Sequence, residues 1–185
     1  MQECGSYATQ WIKERVARHF PRTPVNGWAL EVACGDAPLA QAFLKDYFAD
    51  VHVFDRDAEA LRRGRKAVGP KVKIELSDMV HFEFIRDYHA VFFRWSLGYI
   101  KEHQVGRLLK EAVSHLATGG CILILDNLAD QRSVKKGQTI RSRSNWDKIF
   151  EELTAAAAAL NPAKTLVVKS AEREFHRELE LVGLW

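Results

Sequence analysis

The sequence predicts a doubly wound α/β domain, and three observations predict it. Strand-like and helix-like apolar periods alternate from Trp28 to Asn127, the strand-like runs are short and apolar on both faces, and helical patterns separate them. Such units close as right-handed βαβ crossovers, which gives a mostly parallel sheet covered by helices on both sides. With 185 residues, 47% apolar and 28% charged, the chain can bury a substantial core. One domain is expected over 1–185, with an N-terminal helix and linker at 1–27 and the core at 28–185.

Each element has its own signal. Ala8, Trp11, Ile12, Val16 and Phe20 recur at helical spacing behind Ser6, and Pro21 and Pro24 stop the pattern, so a helix is expected over 6–20. WALEVA (28–33) reads as a buried strand, PLAQAFLKDYF (38–48) as a helix and VHVFD (51–55) as a strand. Asp57 caps the helix DAEALRRGRKAV, KVKIEL (71–76) is the third strand and YHAVFF (88–93) the fourth. HQVGRLLKEAVSHLAT (103–118) reads as a helix ended by Gly119-Gly120, and CILILDN (121–127) as the fifth strand. After a helix near Trp146–Leu160, TLVVKSAERE and FHRELELVGLW are two strand-like runs with little between them, the pattern of an antiparallel hairpin.

Several classes are excluded or disfavoured. No apolar run approaches the ~20 residues that cross a bilayer, so no membrane partner is expected. The N-terminus lacks the apolar core and cleavage site of a secretory signal, and an intracellular setting, cytoplasm or nucleus with mitochondria still open, is expected. Cys4, Cys34 and Cys121 have neither disulfide-framework nor metal-ligand spacing, which fits free thiols in a reducing compartment and no metal. A net charge of +3 does not by itself imply nucleic acid.

In open α/β sheets, ligands sit beyond the carboxyl ends of the strands. The first such loop is Glu31-Val-Ala-Cys-Gly35-Asp-Ala-Pro38, in which Gly35 lets the backbone approach a ligand. Neither the Rossmann glycine triplet nor a Lys-Ser/Thr pair is present, so a phosphate cradle is disfavoured. Asp55 ends the second strand, placed to accept both ribose hydroxyls of an adenosine-containing cofactor or to help cap the next helix with Asp57. The third strand leads into Ser77-Asp78-Met79-Val80, where Asp78 could meet an adenine amino group and Met79 either the ring face or the core.

Five alternating strands followed by a hairpin describe the Rossmann-like, seven-stranded sheet of class I S-adenosylmethionine-dependent methyltransferases, and Glu31 to Pro38 resembles their first motif. Ala37 and Leu39 stand where that family usually has glycine. Within that class, YHAVFFRWSLGYIKEHQVGRLLKEAVSHLATGGCILILDNLA resembles the α-N-terminal protein methyltransferases. The likeness rests on Trp95, Gly98, the long helix, the Gly-Gly turn and Asp126-Asn127.

That resemblance implies S-adenosyl-L-methionine as cofactor, held by Glu31, Gly35, Asp55, Asp78, Met79, Val80 and Arg94. It implies an acceptor pocket with Trp95 as aromatic wall, Asn127 as hydrogen-bonding group for the amine or first carbonyl, and Tyr99 where the family has histidine. On the residues themselves, Trp95 could equally pack the core and Tyr99 sit on the surface. The acceptor is then a protein or peptide α-amine.

The segment after Asp126-Asn127 departs from the family. Arg132, Lys135, Lys136, Arg141 and Arg143 replace its acidic residues, so an acidic substrate is expected if the segment borders the pocket, and a solvated loop if it does not. The family has a longer N-terminal extension with a glycine-rich and aromatic lid, whereas one helix and a short linker precede Trp28 here, so a more open site, or one completed by a partner subunit, is expected. A catalytically degenerate interaction or assembly module is the alternative, and a nucleic-acid methyltransferase ranks last because no stacking-rich surface supports it.

Overall fold

Apolar periodicity sets the order of elements in the computed structural model, which describes residues 2–129, 133–135, 137–160, 165–173 and 176–184. The chain divides into two compact units, Met1–Asp78 and Met79–Trp185.

The first unit opens with α1 (Gln2–His19), which starts ahead of the expected Ser6 cap and buries Ala8, Trp11, Ile12 and Val16 along one stripe. The helix stops where Pro21 removes a donor, and Phe20 meets Phe48 edge-on at 5.5 Å. Strands β1 (Val25–Val32), β2 (Phe48–Asp55) and β3 (Val72–Leu76) pair in parallel in the order β3-β2-β1. Ala29, Leu30, Val32, Val51, Val53 and Phe54 are buried, as near-continuous apolar strands require. β3 is only half-buried and ends on exposed Leu76.

Between β1 and β2 the chain forms a π-helical turn (Ala40–Leu44) that runs into α2 (Lys45–Tyr47). The sequence placed Phe48 in this helix and began the strand at Val51. Instead Phe48 turns extended and joins β2 opposite Val25. α3 (Ala58–Val68) starts at Asp57, whose carboxylate accepts the Glu59 and Ala60 N–H groups at 2.9 and 3.1 Å, and Gly69 at φ +77° ends it. Its Gly64 faces the loop after β1, where an added Cβ would lie 2.7 Å from the Asp36 carbonyl oxygen.

The second unit holds β4 (Tyr88–Arg94) and β5 (Leu116–Leu125), paired in parallel, with Ala90 opposite Cys121 and Phe93 opposite Ile124. A short 3-10 turn (Leu97–Tyr99) follows β4. α4 (Glu102–Ser114) begins where Gln104 Oε1 accepts the Lys101 N–H at 2.9 Å, and it buries Val105, Leu108, Leu109 and Ala112. α4 ends four residues earlier than its expected end at Thr118. His115 leaves helical geometry, and Gly119-Gly120 lie within β5, where they absorb an irregular register between Tyr88 and Ala90.

The basic segment is not a plain loop. β6 (Leu128–Ala129) pairs in parallel with β8 (Gln138–Ser142), and β7 (Ser133–Lys135) pairs antiparallel with β8. α5 (Arg143–Leu160) then buries Trp146, Ile149, Phe150 and Leu153 and packs on α4. Two last strands, β9 (Thr165–Arg173) and β10 (His176–Leu184), follow. Among the described residues no helix is long and apolar enough to cross a membrane.

Gly64 gives the fold its first test. Its hydrogen is what lets α3 approach the Asp36 backbone, and backbone cannot swing aside as a flexible side chain can. Gly64→Ala is expected to cost about 1 to 3 kcal/mol despite the better helix propensity of alanine. Urea unfolding of the two proteins measures it, and an equal or higher midpoint for the variant would show that the loop yields.

Candidate active site

Two carboxylates hold the loop that follows β1. Asp55, at the end of β2, accepts the Gly35 N–H at 2.7 Å through Oδ2 and the Asp57 N–H at 2.8 Å through Oδ1. The capping role belongs to Asp57, so Asp55 ties the loop to the strand instead. Glu31, 2% exposed, accepts the Leu39 and Ala40 N–H groups at 3.1 and 2.9 Å. Those are donors of the helical turn, which favours a negative charge at its start. Glu31 thus shapes the loop from beneath.

The loop between these anchors is strained. Ala33, Gly35 and Ala37 have φ of +48°, +58° and +58°. Left-handed backbone is usual for glycine and costs alanine roughly 1 to 2 kcal/mol. Ala37 thus holds a left-handed geometry that glycine would adopt without that cost.

A cofactor fit rests on this geometry. An added Cβ at Gly35 would meet nothing within 4 Å, so the backbone there faces open space. The half-exposed Asp55 carboxylate keeps lone pairs for two hydroxyl donors beside its two backbone bonds. These features suit the ribose and methionine portions of S-adenosylmethionine. Burial pushes the Cys34 thiol well above its usual range, and the charges of Glu31 and Asp55 push it further, so it stays protonated and inert. Asp78 lies 4.0 Å from Arg56, an exposed pair of little energetic weight.

In the second unit, Met79 is buried and Val80 half-buried, with Arg107 donating to the Val80 carbonyl. Arg94 stacks over the Trp95 ring, 4.9 Å from its centroid. Trp95 is half-buried, and its φ of +53° marks a strained elbow at the end of β4. Its N–H donates to Leu125 O at 2.7 Å. Tyr99 is 54% exposed, so its phenol faces solvent. Asn127, half-buried, donates its N–H to Asp126 Oδ1 at 2.8 Å.

Three residues matter here that sequence reasoning gave no role or misplaced. Ser96 and Asp126 are buried, and Ser96 Oγ and Asp126 Oδ2 have no hydrogen-bond partner among the described residues. Arg141, expected either at the border of the acceptor pocket or in a solvated loop, is 1% exposed and donates to Leu97 O at 3.0 Å and Ile100 O at 2.9 Å. The only sequence signal was the apolar Ile140 before it and Trp146 after it.

Residues 29–120 match a family model described as a methyltransferase domain. No curated protein matches the chain. Among solved structures, a SAM-dependent methyltransferase from Leishmania major superposes with a TM-score of 0.77 at 16% identity, covering 100% of this chain and 74% of that one. An S-adenosylmethionine-dependent methyltransferase from Clostridium acetobutylicum gives 0.71 at 14% identity, over 95% and 90%. The glycopeptide N-methyltransferase MtfA with S-adenosylhomocysteine gives 0.68 at 16% identity, over 97% and 90%. The fold is thus the Rossmann-like methyltransferase fold with a mostly parallel sheet. The matched segment is a methyltransferase domain, and it and the shared fold support an enzyme that uses S-adenosylmethionine.

Two tests follow from the site. Asp55→Ala removes a charged acceptor, and S-adenosylmethionine binding is expected to weaken by about 1 to 3 kcal/mol in calorimetry. Unchanged affinity in the folded variant would confine Asp55 to its loop bonds.

Asp126 sets a pH dependence. Burial raises its pKa from 3.8 to about 6, only partly offset by the Asn127 N–H, the Arg141 guanidinium and the Gly98 N–H. The unfolded chain ionises near 3.8 and the folded one near 6, so the folded state binds more protons between them. Stability from this group is therefore full below pH 3.8 and lost as pH rises through 6. The shift bounds the effect at roughly 3 kcal/mol. Thermal unfolding of the native chain and Asp126→Asn should show the native losing ground to the variant between pH 4 and about 7. A constant difference across that range would refute the assignment.

Proposed function

We propose that this enzyme methylates the free α-amine of a protein or peptide N-terminus. The observation that supports it is the junction of the two halves of the resembled motif. The Trp95 N–H is bound to Leu125 O, and Gly98 lies beside the Asp126 carboxylate, so Trp95–Gly98 and Asp126-Asn127 meet at one end of β4 and β5. The two halves are 28 residues apart from Gly98 to Asp126.

S-adenosylmethionine supplies an electrophilic methyl group on sulfonium. The chain must then present an amine with a free lone pair. An α-amine of pKa about 8 has a usable neutral fraction at pH 7, so orientation matters more than a strong base. Trp95 offers an aromatic face to the first residues, and the Asn127 amide can bind the amine or first carbonyl. Tyr99 can orient the amine through its hydroxyl, because a neutral phenol is a poor proton acceptor but a good hydrogen-bonding group. N-methyl transfer by the structurally similar MtfA is consistent with this chemistry.

The same reading completes the sheet at seven strands with a closing hairpin. Supporting it, β10 runs antiparallel to β5 with Leu179 opposite Ile124, and to β9 with Leu181 opposite Val168. The partner is a protein or peptide. Lys135, Lys136 and exposed Arg143 favour an acidic one over the basic substrates of the resembled family. The buried free thiols Cys34 and Cys121 accord with an intracellular setting.

Mass spectrometry of Xaa-Pro-Glu and Xaa-Pro-Lys peptides, each with a free or acetylated N-terminus, tests the proposal. Only free N-termini should gain 14 Da units, the acidic peptide faster at low salt. The preference should shrink at high salt and reverse in Lys135→Glu/Lys136→Glu. Tyr99→His should raise the rate, since imidazole accepts a proton near neutral pH. Methylation of the acetylated peptides, or of none, would sink the reading.

A further inference from the structure

The basic segment after β5 holds a buried guanidinium. Arg141, on β8, is 1% exposed, and its Nη1 and Nη2 donate to the carbonyls of Leu97 and Ile100 at 3.0 and 2.9 Å. Those carbonyls bracket the turn that carries Gly98 and Tyr99. Burying an arginine is costly unless its charge and donors are matched, and here the matching is extensive. Two carbonyls accept from it, the Asp126 carboxylate supplies opposite charge, and the Trp146 ring lies 5.6 Å from its guanidinium carbon.

The backbone fits the same arrangement. An added Cβ at Gly98 would overlap Gln138 Cγ and come within 2.9 Å of Thr139 O, so β8 lies directly against the turn. The turn's own bonds are weak: the Tyr99 N–H reaches Ser96 O at 3.2 Å and the Ile100 N–H reaches Leu97 O at 3.4 Å. Two charge-assisted bonds from outside are stronger than two long ones within. Its conformation therefore depends on β8.

We propose that Arg141 is a positioning residue for the methyl acceptor: it locks the Leu97–Ile100 turn from behind, so that Tyr99 and the backbone at Gly98 are presented in one fixed geometry. That the turn lines the acceptor site rests on the proposed function. The lock itself does not. The requirement is for a planar fork with two donors at fixed spacing, which lysine cannot supply.

Arg141→Lys keeps the charge and most of the volume, and Arg141→Met is its neutral counterpart. Hydrogen exchange of the Tyr99 and Ile100 amides should accelerate about tenfold in Arg141→Lys, as loss of a charge-assisted bond implies. Amides of β1 and β2 and S-adenosylmethionine affinity should stay as in the native chain. With any accepted substrate, kcat should fall with little change in the KM for S-adenosylmethionine, and guanidinium ion added to Arg141→Met should restore part of the exchange protection. If Arg141→Met does not fold, Arg141→Lys decides. Native protection of Tyr99 and Ile100 in folded Arg141→Lys would overturn the lock, as would acceleration spread evenly over the chain. Because exchange needs no substrate, failure to methylate N-terminal peptides would count against the proposed function and leave this result standing.

Discussion

The hydrogen bond between the Gly35 N–H and the Asp55 carboxylate, 2.7 Å long, is the constraint on which the first unit's functional geometry rests. It ties a loop with three left-handed residues to the end of a neighbouring strand. Left-handed alanines persist only where surroundings over-determine them. Here the Asp55 carboxylate fixes the loop at Gly35, the Glu31 carboxylate fixes the turn behind it, and the Cys34 N–H bonds Phe54 O at 2.9 Å. Gly64 lets α3 close against Asp36 from the outside. The backbone is thus shaped by the chain's own bonds, and a loop so held has less to order on binding.

The second unit solves a related problem by burial. Asp126, after β5, and Arg141, on β8, interact while each is less than a tenth exposed. An isolated carboxylate there would be prohibitively costly, and burial does raise its pKa. The guanidinium and two backbone N–H groups keep the rise within about two units of the ordinary value of 3.8. Such a cluster gives up stability for a defined geometry at the turn. The strained φ of Trp95, at the adjoining residue, fits the same exchange.

Methyl transfer makes modest demands on protein chemistry, because the reactive group belongs to the cofactor. What such a chain must provide is alignment, and in each unit, taken by itself, backbone is held in place by charged side chains. Ala37 illustrates the point. Its φ of +58° lies in the left-handed region that favours glycine, and the bonds around the loop hold it there.

The sequence by itself determined the alternation of the five strands, the capping of α3 by Asp57, the placement of Gly35 and Asp55 at strand ends, and the Trp95 to Asn127 motif. These depend on local periodicity, on capping chemistry and on spacing, all of which act over a few residues. Only the tertiary structure decided the rest. Phe48 left its helix because pairing with β1 outweighed propensity, and Gly119-Gly120 served a strand irregularity instead of a helix stop. Glu31 turned inward to the amides of Leu39 and Ala40. Arg141 turned inward to the carbonyls of Leu97 and Ile100, more than forty residues earlier in the chain. A charged residue's burial depends on partners remote in sequence, and no local pattern records which carbonyls will be waiting for it.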